Sequence, residues 1–267
     1  MPPTMAYIRE AHRIAHQNQG LSMSSMIAET AVLGTESTVG YFCVIGENVS
    51  IGANCRIGHH VVIHDDTTIG DGCVIDDHAV VGKPPLRSRA MSIEPGSDLP
   101  PLELADRAVI GTGAIVFRGS KIGADSLIAD LASVREQTQV GSGSIIGRGV
   151  AVENQVVVGD RVKIEAGCFI CAFTNIADDC FIAPEVTLTN DNYMGRTEER
   201  KKRYAGTTVE KGGRIGANAT VLPGKKVLQD GVAGAGAVVT RDVPAKRIVA
   251  GCPARDVKPV PDDQLID

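Results

Sequence analysis

The chain has 267 residues, a formal net charge of −5, no Trp and 3% aromatic residues, a length that admits one large domain. Weak acidity without a basic stripe argues against a nucleic-acid partner. With no run of 18 apolar residues and no secretory leader pattern, no membrane partner is expected and the expected compartment is the cytoplasm.

Residues 1–26 precede any periodicity. Within them, 6–16 places Tyr7, Ile8, Ala11, Ile14 and Ala15 on one helical face, and is expected to cap the open end of the periodic region. From Ile27 an aliphatic residue recurs every six positions, at Leu33, Val39, Ile45, Ile51, Ile57, Ile63, Ile69, Ile75 and Val81. The beat resumes at Ile110 and runs to Leu188, and a last block spans Val209 to Val239, giving 30 hexads in all. Gly often follows the anchor, and a small residue such as Val49, Cys55, Ala114 or Ser126 comes four positions after it. One large and one small inward position per hexad describe a short flat strand and a tight corner. Three such strands make an 18-residue triangular coil, and about ten stacked coils pair their strands in parallel around an aliphatic column. The apolar spacing of an amphipathic helix is absent.

Two interruptions break the beat. Residues 83–108 are rich in Pro and charge, and 193–208 (YMGRTEERKKRYAGTT) are strongly basic. Long excursions from a rigid solenoid usually carry function. Naming the faces A, B and C in chain order, Ile51, Ile69, Ile110 and Ile128 are expected on A. Ile57, Ile75, Val116, Val134, Val152, Ile170 and Leu188 are expected on B, and Ile63, Val81, Ile122 and Val140 on C. On this count the first excursion leaves between C and A. The second leaves between B and C, with the repeat resuming on C at Val209. The B-to-C edge then stacks His59–His60, Asp77–His78, Arg118–Gly119, Glu136–Gln137, Asn154–Gln155, Ala172–Phe173 and Asn190–Asp191. Just before these corners, Arg135, Glu153, Cys171 and Thr189 form a column at 18-residue spacing. The active site is expected on that edge.

Five of the seven cysteines, Cys43, Cys55, Cys73, Cys168 and Cys180, fall on the small inward position and are expected in the core rather than on a metal. Glu153 stands where most repeats carry Gly, so it is either a group that holds or deprotonates an amine or a surface partner of Arg135. His60 and His78, 18 apart, are expected to stack; each is either a structural corner residue or a candidate base. Lys83, Arg87 and Arg89 would suit a diphosphate. The spacing of His59 and His64, with His78, leaves a metal-dependent lyase resembling the γ-class carbonic anhydrases as a competing function.

The repeat resembles that of the hexapeptide-repeat transferases over roughly 27–256, and the resemblance implies a left-handed parallel β-helix occupying 27–244. Parallel crossovers are otherwise right-handed. The C-terminal IGANATVLPGKKV and IVAGCPARDV closely resemble the signature of acetyl-CoA-dependent acyltransferases of that superfamily. That implies acetyl-CoA as cosubstrate and no metal. Gly216, Ala217, Gly234 and Ala235 would offer a smooth groove to the pantetheine arm, and Arg196, Lys211, Lys246 and Arg255 would meet the phosphates, 245–267 being the coenzyme-contacting segment. FIAPEVTLTNDNYMGR, followed by the basic excursion and joined by the Lys-Pro-Pro of the first loop, resembles the nucleotide-sugar N-acetyltransferases. Among these the dTDP-3-amino-3,6-dideoxyhexose enzymes look most similar. The resemblance implies a homotrimer with sites between subunits and Asn190 and Asp191 at the sugar. Read from their own positions, Glu153 is expected as the catalytic companion of these two, and His60, His78, Lys83, Arg87, Asn154 and Asn192 around the substrate. UDP in place of dTDP, a 4-amino sugar, and O-acetyl transfer stay open.

Overall fold

The computed structural model describes residues 24–88, 96 and 98–266. The cap expected over 6–16 and the cation Arg89 lie outside them. The described chain is an all-β parallel solenoid whose three sheets hold 10 strands on face A, 12 on face B and 11 on face C. Every anchor of the six-residue beat lies in a strand, most strands being only two residues long. Successive rungs pair in register at 18-residue spacing, as in Ile45↔Ile63 and Ile146↔Ile164. Among the described residues no α-helix occurs, and no helix is long and apolar enough to cross a membrane.

The anchors and the residues four positions on fill the prism. Ile75, Ile110, Ile128, Ile146, Ile164 and Ile170 are fully buried, with Cys43, Cys55, Cys73, Cys168 and Cys180 among them. Each buried Ile contributes about 1.5–3 kcal/mol by leaving water, so many repetitions of one modest contribution hold the described solenoid together. The corners turn through left-handed backbone, at Asn48 (φ 55°), Asn54 (φ 57°) and Gln155 (φ 57°) for example. Asp side chains brace these corners from the rung above. The Asp77 carboxylate accepts the His59 N–H at 2.7 Å, and Asp71, Asp130 and Asp160 accept from Ala53, Thr112 and Ser142 in the same way. That backbone hydrogen bond holds the Asp77 carboxyl below its ordinary range.

The phase carried across the first interruption is wrong by one face. Glu103–Leu104 is a strand of face A, pairing with Thr68–Ile69 below and Lys121–Ile122 above. Ile110 therefore sits on B over Ile75, Val116 on C over Val81, and Ile122 on A. The second excursion runs from Leu188 on C to Val209 on A. Both excursions, 84–102 and 189–207, thus leave the same C-to-A edge. The sequence held a signal for this: Leu104 stands six before Ile110, and Ala108 takes the small inward position four after it.

The solenoid also continues past 244. Arg247–Ala250 pairs in parallel with Val232–Ala233, and Arg255–Pro259 folds back antiparallel upon it. Val260 is buried at this end, and a short 3₁₀ turn at Asp262–Gln264 completes the tail.

Candidate functional site

The C-to-A edge carries a column of side chains just past successive face C anchors, one residue on except at Lys83, which stands two after Val81. From the bottom it reads His64, Lys83, Phe117, Arg135, Glu153, Cys171 and Thr189. The ladder sets its spacing: Arg135 N–H donates to Val152 O and Glu153 N–H to Ile170 O, each at 2.9 Å. Lys83 and Phe117 are register partners across a small irregularity. The Lys83 ammonium and the Arg135 guanidinium each lie 5.2 Å from the centre of the Phe117 ring. Such cation–ring contacts are worth about 0.5–2 kcal/mol.

Arg135 divides its guanidinium. Nε and one terminal nitrogen donate to Glu136 at 2.8 and 2.9 Å, while the other terminal nitrogen stands 3.7 Å from Glu153 Oε2. The Glu136 side chain is 2% exposed and that of Glu153 32% exposed. The hydrogen bonds that Arg135 donates to Glu136 push its guanidinium further up from its already high value. Glu136 is thus a buried carboxylate neutralised by its neighbour, and Glu153 an ionisable group that reaches solvent. Above them, burial pushes the Cys171 thiol up, and its sulfur lies 3.3 Å from Thr174 Oγ1. Below them, burial lowers His64, and Lys83 and Arg118 act in the same direction.

The two excursions pack along this edge. Arg118 pins the first by donating to Leu99 O at 3.0 Å, to Asp65 O at 3.1 Å and to Asp66 Oδ2 at 2.9 Å. Pro84, Pro85, Arg87, Asp98, Leu99 and Arg118 line a hollow of about 720 Å³ beneath it. The second excursion returns through Ala205, whose N–H donates to Asn190 O at 3.1 Å, and Tyr204, whose ring stacks on Phe173 at 6.4 Å. Gly206 lies so close to the corner below that a Cβ there would meet the Phe173 carbonyl carbon at 2.3 Å. Asp191 shapes the loop's start. It accepts the Tyr193 and Gly195 N–H groups at 2.8 and 2.9 Å, and Arg200, which also reaches the Tyr204 hydroxyl, stands 3.4 Å from it. The Gly195 bond, then that of Tyr193, draws the Asp191 carboxyl below its usual range. Asn190 Nδ2 donates to Ala172 O at 3.5 Å. Asn154 is buried in the corner between the two loops, and Asn192 and Arg196 are exposed on the second loop.

Lys83, Arg87, Glu153, Asn154, Asn190, Asp191, Asn192 and Arg196 therefore share one edge. The other expected residues do not. His60 and His78 stand on the B-to-C edge, correcting their assignment to the Asn190 edge. They stack at 4.8 Å, with Phe42 continuing the pile at 5.0 Å from His60. His78 also lies five rungs below Asn190, roughly 24 Å along the axis at ~4.8 Å per rung. Gly216–Ala217 and Gly234–Ala235 turn the same B-to-C edge at the opposite end. Lys211 and Lys246 belong to the A-to-B edge, where Asp230 N–H donates to Lys211 O and Lys246 N–H to Gln229 O. Arg255 lies on the fold-back strand. One protomer thus divides the expected coenzyme residues among separate edges. Among the described residues, no group of three or more His, Cys, Asp or Glu is placed to hold a metal ion. His59 accepts the Tyr41 N–H at 2.9 Å, His60 and His78 stack, and His64 occupies a different edge, so the histidines of the lyase alternative do not converge.

Sequence reasoning missed Phe117 and His64 as members of the edge, and it placed Glu136 there without seeing that it is buried. The 18-residue spacing from Phe117 to Arg135 and Glu153 was the available signal. The burial of Glu136 had none, since only the packed corner removes it from water.

Comparison with known proteins places the repeat. Residues 48–83 match the family model described as bacterial transferase hexapeptide (six repeats). A 44-residue stretch is 52% identical to 2,3,4,5-tetrahydropyridine-2,6-dicarboxylate N-acetyltransferase of Staphylococcus aureus (strain JH9), a match spanning 16% of this chain and 18% of that protein. UDP-N-acetylglucosamine O-acyltransferase from Moraxella catarrhalis superimposes with a TM-score of 0.46 at 18% identity, over 87% of this chain and 72% of that one. Serine acetyltransferase from Vibrio cholerae does so with a TM-score of 0.32 at 28% identity, over 45% and 40%. The hexads lie on three parallel faces, and within them residues 48–83 are similar to the bacterial transferase hexapeptide repeat.

Proposed function

We propose that this chain is an acetyl-CoA-dependent N-acetyltransferase acting on the amino group of a nucleotide-linked amino-deoxy sugar. The favoured acceptor is a dTDP-linked 3-amino-3,6-dideoxyhexose, taken in the groove between subunits of a left-handed β-helical homotrimer in the cytoplasm. The observation that carries the reading is the shared edge: two excursions leave the solenoid at the same corner and frame an accessible carboxylate, Glu153. Lys83, Arg87 and Arg118 gather at the first loop, where a diphosphate would be neutralised. The acetyltransferase named above lends support through its 44-residue stretch of 52% identity.

The reaction follows from the groups present. The amine attacks the thioester carbonyl carbon, a C–N bond forms and the C–S bond breaks. Glu153 accepts the ammonium proton or holds the amine in line, and the departing thiolate takes up a proton to become the free thiol. The Asn190 side-chain amide donates to the carbonyl oxygen as it gains charge, an effect worth roughly 3–4 kcal/mol per donor. Acetyl-CoA supplies the activated acyl group. The small, solvent-facing corners at Gly216–Ala217 and Gly234–Ala235 fit its pantetheine arm. Because those corners lie on a different edge from Glu153, the coenzyme and Glu153 meet only if a neighbouring subunit brings the two edges together. The deciding experiment incubates the protein with acetyl-CoA and a panel of dTDP- and UDP-linked 3- and 4-amino sugars, and reads thiol release. Release with one member supports the reading; none with any member overturns it.

A further inference from the structure

We propose that Arg135 and Glu136 form a positioning dyad that sets the orientation and the working charge of Glu153. The inference deepens the acyltransfer reading and rests on it for its kinetic consequence only. A carboxylate as buried as Glu136 is costly unless it is paired and hydrogen-bonded. Here two short bonds from Arg135 satisfy it, at 2.8 and 2.9 Å. Those bonds also fix the guanidinium plane, and Phe117 supports it from the rung below. The nitrogen left over faces Glu153 at 3.7 Å, beyond an ideal charge-assisted bond. Glu153 is thereby steered but not captured. It sees a guanidinium whose charge is already balanced by Glu136, and its side chain stays 32% exposed to an incoming ammonium.

The other groups around Glu153 leave this balance intact. Cys171, the next rung up, is a buried thiol whose pKa burial has raised, so it is neutral. Asp191 and Arg200 of the second loop face each other and cancel. Lys83 lies on Phe117, two rungs below. Among the described residues no other corner on this edge pairs a buried acid with the preceding Arg: the equivalent positions nearby hold Arg118, Asn154, Ala172 and Asn190.

The two halves of the dyad should act in opposite directions, which simple damage would not produce. Glu136→Gln leaves the Arg135 charge unbalanced beside Glu153, so the acid limb of the pH–rate profile moves down, by about one pH unit. Arg135→Gln leaves Glu136 and Glu153 as like charges, so the limb moves up by a similar amount. Because Arg135→Gln also strands a buried carboxylate and can fail to fold, the Arg135→Gln/Glu136→Gln double variant is measured beside it. With both charges gone, its limb stays within about 0.3 units of the parent, while kcat/KM falls because Glu153 is no longer held.

Titration of the Glu153 carboxyl in each full-length variant, by ¹³C NMR with the assignment made from Glu153→Gln, reads the same shifts without any substrate. Displacement downward in Glu136→Gln and near-parent behaviour in the double variant support the dyad. Equal titration in all variants, or displacement in the same direction for both single variants, overturns it. An inactive parent protein would overturn the acyltransfer reading, while the NMR shifts still decide the dyad.

Discussion

Gly206 offers the sharpest test of how the second excursion is held. A Cβ at this position would stand 2.3 Å from the carbonyl carbon and oxygen of Phe173 and 2.4 Å from the Thr174 nitrogen. These are backbone atoms of a rung hydrogen-bonded above and below, so they cannot move aside as a side-chain tip would. In Gly206→Val the loop must retreat by about 1 Å or more to restore ordinary contact. The retreat stretches Ala205 N–H to Asn190 O (3.1 Å) and Gly224 N–H to Ala205 O (2.9 Å), and separates the Tyr204 ring from Phe173. Two hydrogen bonds at about 1 kcal/mol each and an aromatic pair at about 1 kcal/mol give about 3 kcal/mol. That is roughly a hundredfold shift toward the undocked loop. Trypsin reads it directly, because the loop carries Arg200, Lys201, Lys202 and Arg203. Cleavage there should accelerate roughly 10- to 100-fold, tracking the open population when opening is fast. The far-UV circular dichroism transition of the solenoid should move little. An unchanged cleavage rate would show that the close approach at Gly206 does not hold the loop.

Four further outcomes are expected. Asn190→Ala should lower kcat/KM about 100-fold with the assembly intact by sedimentation, and an unchanged value would remove Asn190 from the chemistry. Glu153→Gln should lower kcat at neutral pH and flatten the acid limb of its profile; an unaltered profile would make Glu153 a structural partner of Arg135. Loop order should depend on pH through Asp191. Its carboxyl is depressed in the folded protein, so the stabilisation is complete above the ordinary carboxylate range and is lost as pH falls through the folded-state value. Amide exchange at Tyr193 and Gly195 should therefore lose protection at acid pH, and Asp191→Asn should abolish that dependence; protection that persists at acid pH would count against it. Finally, burial pushes Cys73 and Cys168 up to about 11 and Cys180 up to about 12, whereas Cys252 is exposed. A thiol reagent at pH 8 should label one site in the native protein and seven after denaturation. More than one rapid label would place a cysteine outside the core.

The six-residue beat was enough to determine the architecture. One large and one small inward residue per hexad can be buried only if the chain coils with three short strands per turn, and every anchor so identified lies in a strand. The stacking of His60 on His78 and the column through Arg135 and Glu153 were legible for the same reason, since residues 18 apart must be neighbours. What the sequence left undetermined was the phase beyond a break. Two apolar residues in a Pro-rich stretch, Leu102 and Leu104, decided whether the following rungs began on face A or face B, and periodicity is blind to the number of rungs hidden inside an interruption. Only the pairing of Glu103–Leu104 with Thr68–Ile69 placed both excursions on one edge and moved the histidines to another. The burial of Glu136 likewise exists only in three dimensions, because a corner acid is solvated in any isolated coil and loses water only when neighbouring rungs and the Arg135 guanidinium close over it.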